Sequence, residues 1–493
     1  MVFPSLPHIP RNPCPQNTLQ KASGGQAGLA YHAGIIPFSD IQVKKKNLTR
    51  RHFIQASALA LPWMVQGCAS FNICRQDDAF VRVSDGRFRL HGQPHAYVGA
   101  NAWYGAYLSD PALSGGRARW IRELDRLQAL GVKNIRLLAG SETSALRGAI
   151  PRGITRSPHE YDENLLRGLD FCLAEMARRD MRAVLFLSNF WQWSGGFAQY
   201  VRWATGAPIP DPDQPQMAQG DWSAFMKFSA TFYQQPKAVA LYQEYIGAII
   251  HRVNTVNGRE YRKDTSIMTW ELANEPRPGA SEKDMQQSVP VFCQWVDRMA
   301  RFIHAEDENH LVCTGSEGMW GCFQKPDVFI KAHQSPAIDY VTVHVWLKNW
   351  GWLEQIQLGP AFEVAAARAR NHVEEHNKLA ANVLHKPLVL EEFGLPRDGG
   401  TLAPGSPTTA RDEYYRRMFQ QVVQSCKAGS ALQAANFWAW GGEGNACAPA
   451  YSSQAFLGDP PCEPQGLNSV MAEDSGTLQA IHQANAALNF LRG

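Results

Sequence analysis

Cysteine is scarce in this chain, with ten in 493 residues, which is too few for a disulfide scaffold to hold the fold. Cys172 and Cys293 fall in apolar helical patterns where buried thiols are expected. Cys313 with Cys322 and Cys447 with Cys462 are each separated by a loop-like stretch and can bridge in an oxidising compartment. Metal-ligand spacing is also missing, and neither His333 nor His344 has a partner at ligand distance along the chain, so no metal and no cofactor are expected. A surplus of one charge is lacking too. The net charge of +3, with both signs interspersed, leaves no electrostatic footprint for nucleic acid. With 45% hydrophobic and 19% charged residues the composition is that of a folded protein with a substantial core, which excludes disorder for most of the chain.

What is present begins with residues 43 to 68, where the basic run Lys44-Lys45-Lys46 and Thr49-Arg50-Arg51-His52-Phe53-Ile54 precede a short apolar stretch ending at Gly67-Cys68. That stretch is too short to span a bilayer and reads as an export signal. The arginine pair resembles a twin-arginine signal, and Val65-Gln66-Gly67-Cys68 resembles a lipobox that would make Cys68 a lipid anchor. An exported product, periplasmic, membrane-anchored or extracellular, is the expectation. Residues 1 to 42 carry no periodic pattern and are expected to be upstream of the true start, with Val43 as the initiating position. Residues 43 to 78 then form signal and short linker, and 79 to 493 one catalytic domain, expected to act as a monomer with no further module after a linker.

From about residue 79, short apolar runs alternate with longer segments of helical period, the pattern of parallel strands joined by helices. Strands are expected at 97–101, 134–138, 182–187, 267–272, 311–314, 340–344, 387–392 and 435–438. Helices between them are expected at 118–130, 164–179, 236–256, 291–306, 361–382 and 412–428. Eight repeats over roughly 400 residues predict an α/β fold of the TIM-barrel type, a (β/α)8 barrel with long loop insertions. Chemistry in such a barrel sits at the C-terminal strand ends, where Asn101, Arg136, Asn189, Asn274, Glu275, His344, Glu392 and Trp438 all fall.

Two of these are glutamates delivered to one mouth by separate strands, which is the arrangement retaining glycoside hydrolysis needs. Alternation along the strand puts Leu388, Leu390 and Glu392 on one face and Val389 and Glu391 on the other. Glu392 is therefore read as the nucleophile and Glu391 as a structural partner on the helix side. Glu275, before Pro276, is read as the acid/base, with Asn274 placed to donate to a sugar 2-hydroxyl. The acid must hold a proton near neutral pH while the nucleophile stays charged. Arg136 is the natural cation for the latter, and Glu271, of the same strand parity as Glu275, is a possible partner of that arginine. The 15 Trp and 14 Tyr exceed what a core of this size requires and supply stacking surfaces for sugar rings.

Asn274-Glu275-Pro276, Glu392-Phe393-Gly394, Arg136, His344 and Trp438 together resemble family 5 of the glycoside hydrolases. The motifs Gly99-Ala-Asn-Ala-Trp-Tyr104, Asn189-Phe-Trp-Gln-Trp-Ser-Gly-Gly196 and His344-Val-Trp-Leu-Lys-Asn-Trp-Gly-Trp352 are most similar to its β-mannanase branch, and bring Trp103 and Trp193 forward as substrate-binding residues. The resemblance implies an endo-β-1,4-mannanase acting by double displacement, with a β-mannan as partner. It also implies that Arg277 contacts a sugar on the leaving-group side and that Trp438 floors the subsite of the attacked sugar. Where many members carry His-x-Tyr this chain has His344-Val345-Trp346, so Trp346 either tunes Glu392 or shapes the cleft. An endo-β-1,4-glucanase of the same family, and a non-catalytic polysaccharide-binding surface protein, are the alternatives.

Overall fold

The computed structural model describes residues 79–212, 221–450 and 452–491; the expectations for the signal, Cys68 and residues 1 to 78 lie outside them. Eight parallel strands form one sheet: β1 Tyr97–Asn101, β2 Asn134–Leu138, β3 Arg182–Phe186, β4 Ile267–Glu271, β5 Leu311–Cys313, β6 Val341–Val345, β7 Leu388–Phe393 and β8 Leu432–Phe437. Their order, β5-β4-β3-β2-β1-β8-β7-β6, is a ring opened between β5 and β6. Asp339 completes it, donating its N–H to Val312 O at 2.9 Å and accepting from Val312 N through its carboxylate at 2.6 Å. This is the expected TIM barrel. Every residue of the eight strands is buried, as it must be when a sheet is covered on both faces.

Three short antiparallel strands, Arg82–Ser84, Arg87–Leu90 and Gln93–Pro94, precede β1. They turn at Asp85-Gly86 and His91-Gly92, whose φ values are all positive (53°, 68°, 52° and 73°), the backbone that tight two-residue hairpins require. The hairpin carries Phe88 beneath the barrel, where it joins Tyr97, Met268, Leu311, Tyr340 and Val389 in an apolar cluster of its own. The bottom of the barrel is thus plugged, leaving the chemistry to the opposite end.

Helices differ from expectation mainly in length. The helix before β5 begins at Glu282, nine residues before the expected start, because Ser281 caps it by accepting from Asp284 N; Pro290 lies inside it. The helix after residue 236 ends at Ile250. The helices Gly196–Thr205, Trp222–Ala230 and Ser475–Phe490 were not foreseen; the first two belong to the long insertion after β3. Cys313 and Cys322 remain separate thiols, in correction of the suggested bridge, and Cys447 is disulfide-bonded. Among the described residues no helix is long and apolar enough to cross a membrane.

Candidate active site

Arg136, on β2 and fully buried, organises the barrel mouth. Its Nε and Nη2 donate to the two carboxylate oxygens of Glu271 at 2.8 and 2.6 Å, and Nη2 also donates to Asn274 Oδ1 at 2.8 Å. Nη1 donates to Asn101 Oδ1 at 3.1 Å and to Glu392 Oε1. All five N–H bonds of the guanidinium are therefore committed, a geometry that a lysine cannot reproduce. The Phe186 ring covers one face of the guanidinium at 4.6 Å. The expected partnership of Arg136 with Glu392 and Glu271 is present in full.

Glu391 corrects the parity argument. In the β6–β7 register Val343 pairs with Leu390 but His344 pairs with Glu392, so Glu391 is the extra residue of a β-bulge. The bulge turns Glu391 into the barrel and not toward the helices, its Oε2 standing 3.5 Å from His344 Nε2 and 3.7 Å from Arg136 Nε. Consecutive glutamates thereby both face the interior, Glu391 on the opposite side of the imidazole from Glu392.

Glu275 does not end a strand, as the sequence suggested: β4 stops at Glu271. The chain continues as a loop held between its neighbours, Asn274 N donating to Ser188 O and Glu275 N to Gly315 O at 2.9 and 2.8 Å. Glu275 itself has φ of +51°. Pro276 disfavours the right-handed helical region for the residue before it, and the left-handed alternative costs on the order of 1–3 kcal/mol, a strain typical of functional positions. This backbone aims the carboxylate so that Oε1 meets His344 Nδ1 at 2.7 Å and Oε2 accepts from Trp191 Nε1 at 2.5 Å.

The two carboxylates converge. One oxygen of Glu275, one of Glu392 and a ring nitrogen of His344 all lie within 4.8 Å of one another, and the glutamates are only 7% and 3% exposed. His344 Nδ1 lies 3.4 Å from Glu392 Oε2 and bridges the pair. A second close group, Glu271, Cys313 and Glu391, lies below. Both have the spacing to hold a cation, but the Arg136 guanidinium already sits against Glu271, Glu391 and Glu392 and repels one.

Charge is distributed differently from expectation. Burial disfavours an imidazolium, yet Glu392, Glu275 and Glu391 outweigh it and raise His344 to about 10. Burial also acts to raise Glu275, but the His344 hydrogen bond and charge, with Arg277 and Trp191, hold it below the usual carboxylate range. Burial lifts Glu392 to about 7 against the pull of His344 and Arg136. In this arrangement the proton favours Glu392 over Glu275, the reverse of the starting roles, because His344 sits closer to Glu275. Groups coupled this tightly titrate as one unit. We expect kcat/KM to follow a bell, with an alkaline limb near pH 7 as the unit loses its mobile proton and an acid limb below about pH 4.5, since kcat/KM reports the free enzyme. A pH–rate profile flat from 5 to 9 would contradict this.

The remaining residues divide into cleft and support. Asn274 accepts from Arg136 and donates one N–H to Asn189 Oδ1 at 3.1 Å, leaving its second N–H for a ligand. Trp438 is held by N–H donation to Phe393 O at 2.9 Å and by Tyr415 Oη at its own carbonyl. Trp346 meets it edge-on at 6.1 Å. A methyl group on Gly394 would come within 2.7 Å of the Trp438 carbonyl oxygen and 3.2 Å of Trp346 Cζ3, so the Trp438 backbone and the Trp346 ring close on the strand end carrying Glu392. Trp103 and Trp193 meet at 5.5 Å and are nearly buried, Trp103 donating to Gly458 O at 2.9 Å; they brace the wall of the site. Arg277 is tied to Glu317 by two hydrogen bonds, at 2.5 and 2.7 Å, and lies 4.7 Å from the Trp191 ring. Trp191 and Glu317 were not singled out from the sequence. Trp191 lay within the quoted Trp-rich motif, but Glu317 follows β5 with no local signal.

Residues 78–492 match the model of the family described as GH family 5 beta-mannosidase-like. A putative mannan endo-1,4-beta-mannosidase 9 of Oryza sativa subsp. japonica is 30% identical over 369 residues, covering 73% of this chain and 81% of its own. The crystal structure of a glycoside hydrolase family 5 mannosidase from Rhizomucor miehei is 35% identical, with a TM-score of 0.77, covering 84% of this chain and 99% of its own. A mutant of that mannosidase, also at TM-score 0.77, was solved in complex with mannosyl-fructose.

Proposed function

From the premise that this chain belongs to the family 5 β-mannosidase-like glycoside hydrolases, we propose that it is a retaining endo-enzyme that cleaves β-1,4-mannosidic bonds in mannans. The observation that carries the mechanism is the approach of the Glu275 and Glu392 oxygens to within 4.8 Å. Retaining enzymes hold their carboxyl groups about 5–5.5 Å apart so that one attacks directly, whereas inverting enzymes need roughly 6.5–9.5 Å to admit a water. Glu392, fixed by Arg136, attacks the anomeric carbon while Glu275 protonates the departing oxygen, giving a glycosyl ester on Glu392. Glu275 then draws the proton from a water that displaces the ester. His344, hydrogen-bonded to Glu275 and next to Glu392, carries charge between the two as each step needs it. The free N–H of Asn274 donates to the 2-hydroxyl of the attacked sugar, whose ring rests on Trp438. Arg277 lines the leaving-group side.

Mannan over glucan is supported by the activities for which the relatives are named and by the mannosyl-fructose bound in the Rhizomucor miehei complex. Export through a twin-arginine route, with Cys68 as lipid anchor, completes the reading and rests on residues 43 to 68. The test is a parallel assay on mannan and carboxymethyl cellulose. A rapid fall in mannan viscosity with a mixture of oligosaccharides is expected. Release of mannose alone would refute endo action, and faster attack on the cellulose derivative would refute the substrate.

A further inference from the structure

Trp440–Gly442 and Val470–Met471 pair with each other as short parallel strands, and residues 458 to 468, which lead into the second, lie against Trp103, Ala439 and Gly394. This stretch is held firmly. Asp459 accepts from Gly466 N, Asn468 N and Ser469 Oγ at 2.9, 2.7 and 2.5 Å, and the Gln465 amide donates to the carbonyls of Asp459, Pro460 and Glu463. Gly458 is tied both to Trp103 and to Ser469. Glu463 is therefore set in place by its own loop.

Beyond Asp459 two polar side-chain atoms stand out. Glu463 Oε2 and Asn468 Nδ2 are buried and have no hydrogen-bond partner among the described residues. Asn468 is 2% exposed, and its Cβ would lie 3.5 Å from a methyl group placed on Gly394, beside Trp438 and Trp346. Burial above all, then the negative charges of Asp459, Glu392 and Glu275, push the Glu463 carboxyl up to about 8. A buried carboxyl oxygen left without a partner is costly, and on a loop that lies against Gly394, two residues beyond Glu392, it has a use when a ligand supplies the partner.

We propose that Glu463 is a further substrate-binding residue, its Oε2 accepting a hydrogen bond from a hydroxyl of the sugar bound on the Glu392 side of the cleft. The inference rests on the sugar-hydrolase reading of the site. Asn468, the unpartnered donor on the same loop, lies nearer the Trp438 floor and complements it. Glu463 takes no part in the proton transfers; it holds the sugar over Glu392.

The experiment compares Glu463→Met and Glu463→Gln with the unaltered enzyme on mannotetraose, with melting temperatures measured alongside. The Met variant should raise KM about 5- to 10-fold, the loss expected for one hydrogen bond to an uncharged carboxyl, with kcat changed less than about 3-fold. The Gln variant, whose amide still accepts, should recover most of that loss. The Met variant should also melt no lower than the parent, since an apolar side chain replaces an atom that has no partner in the protein. A KM within twofold of the parent in the Met variant overturns the proposal. So does a Met variant that loses its fold, because the carboxyl would then have its partner within the chain. An unaltered enzyme that cleaves neither mannan nor mannotetraose strikes the parent reading instead.

Discussion

Glu392→Ala lowers kcat/KM on mannan by about 10⁵-fold, the scale on which loss of an enzymic nucleophile is felt, while leaving the fold intact. The first half follows from geometry. Glu392 is the carboxylate that Arg136 grips from β2 and His344 faces from β6, and no other carboxyl of the cluster reaches the mouth of the barrel from β7. Glu391, its neighbour in sequence, is turned inward by the bulge and cannot substitute. The second half follows from charge. Glu271, Glu275, Glu391 and Glu392 crowd around two cations, Arg136 and His344, so removal of one acid relieves like-charge repulsion. The melting temperature of the variant should stay level or rise, the trade of stability for function common at active sites. Glu275→Ala should lose less, about 10²- to 10⁴-fold, and less still on an aryl mannoside whose leaving group needs no proton. Substantial turnover in Glu392→Ala, with Glu275→Ala the more damaged on every substrate, would exchange the two roles.

Arg136→Met should destabilise the protein by about 3–5 kcal/mol, the cost of stranding a buried ionic partner, and abolish turnover as well. Its guanidinium is the hub of five hydrogen bonds and the nearest fixed positive charge to Glu271, Glu391 and Glu392. Without it Glu271 and Glu392, already raised by burial, must take up protons or be repelled by their neighbours. Chemical denaturation at pH 7 measures the loss. The deficit should shrink as the pH is lowered toward 5, because protonated carboxyls no longer need the cation. Arg136→Lys should restore part of the stability but little activity, since an ammonium cannot hold Glu271 with two bonds and reach Asn274 and Glu392 together. An Arg136→Met variant as stable as the parent would show that the cluster is held by packing alone.

These two predictions concern residues whose contacts could be foreseen, and the reason is local. Arg136 lies in an apolar strand, Asn134–Leu138, where a charged side chain must have a partner; Glu271, at the end of β4, and Glu392, near the end of β7, supply one. The strands themselves were legible because each is an apolar run bounded by polar residues. What escaped depends on how strands are offset from one another. The bulge at Glu391 is a matter of register between β6 and β7 and leaves no mark in alternation along β7 alone. The left-handed turn at Glu275 had a hint in Pro276, but its pairing to Gly315 lies forty residues downstream. Glu317 is held by a contact far along the chain, to Arg277, while Glu463 sits in an irregular loop closed by Gln465 on the carbonyls of Asp459, Pro460 and Glu463, a pattern without periodicity to read. The helix expected over 291–306 begins at Glu282, where Ser281 caps it, and continues through Pro290.

The Trp residues show the same division. The Trp346 ring lies against Gly394 and meets Trp438 edge-on, and Trp191 reaches Glu275 directly. Trp103 and Trp193, equally prominent in the motifs, spend their surface on each other and on the loop at Gly458. Sequence context distinguishes an aromatic near the site from one elsewhere, but not a ring that faces the substrate from one that backs the wall.

The account stands most directly on the closeness of the Glu275 and Glu392 oxygens, within 4.8 Å. Proton NMR of the first product released from a β-mannan oligosaccharide reads its consequence. Double displacement predicts that the new reducing end appears as the β-anomer before mutarotation, whereas an α-anomer formed first would mean inversion and contradict the pairing of nucleophile and acid described here.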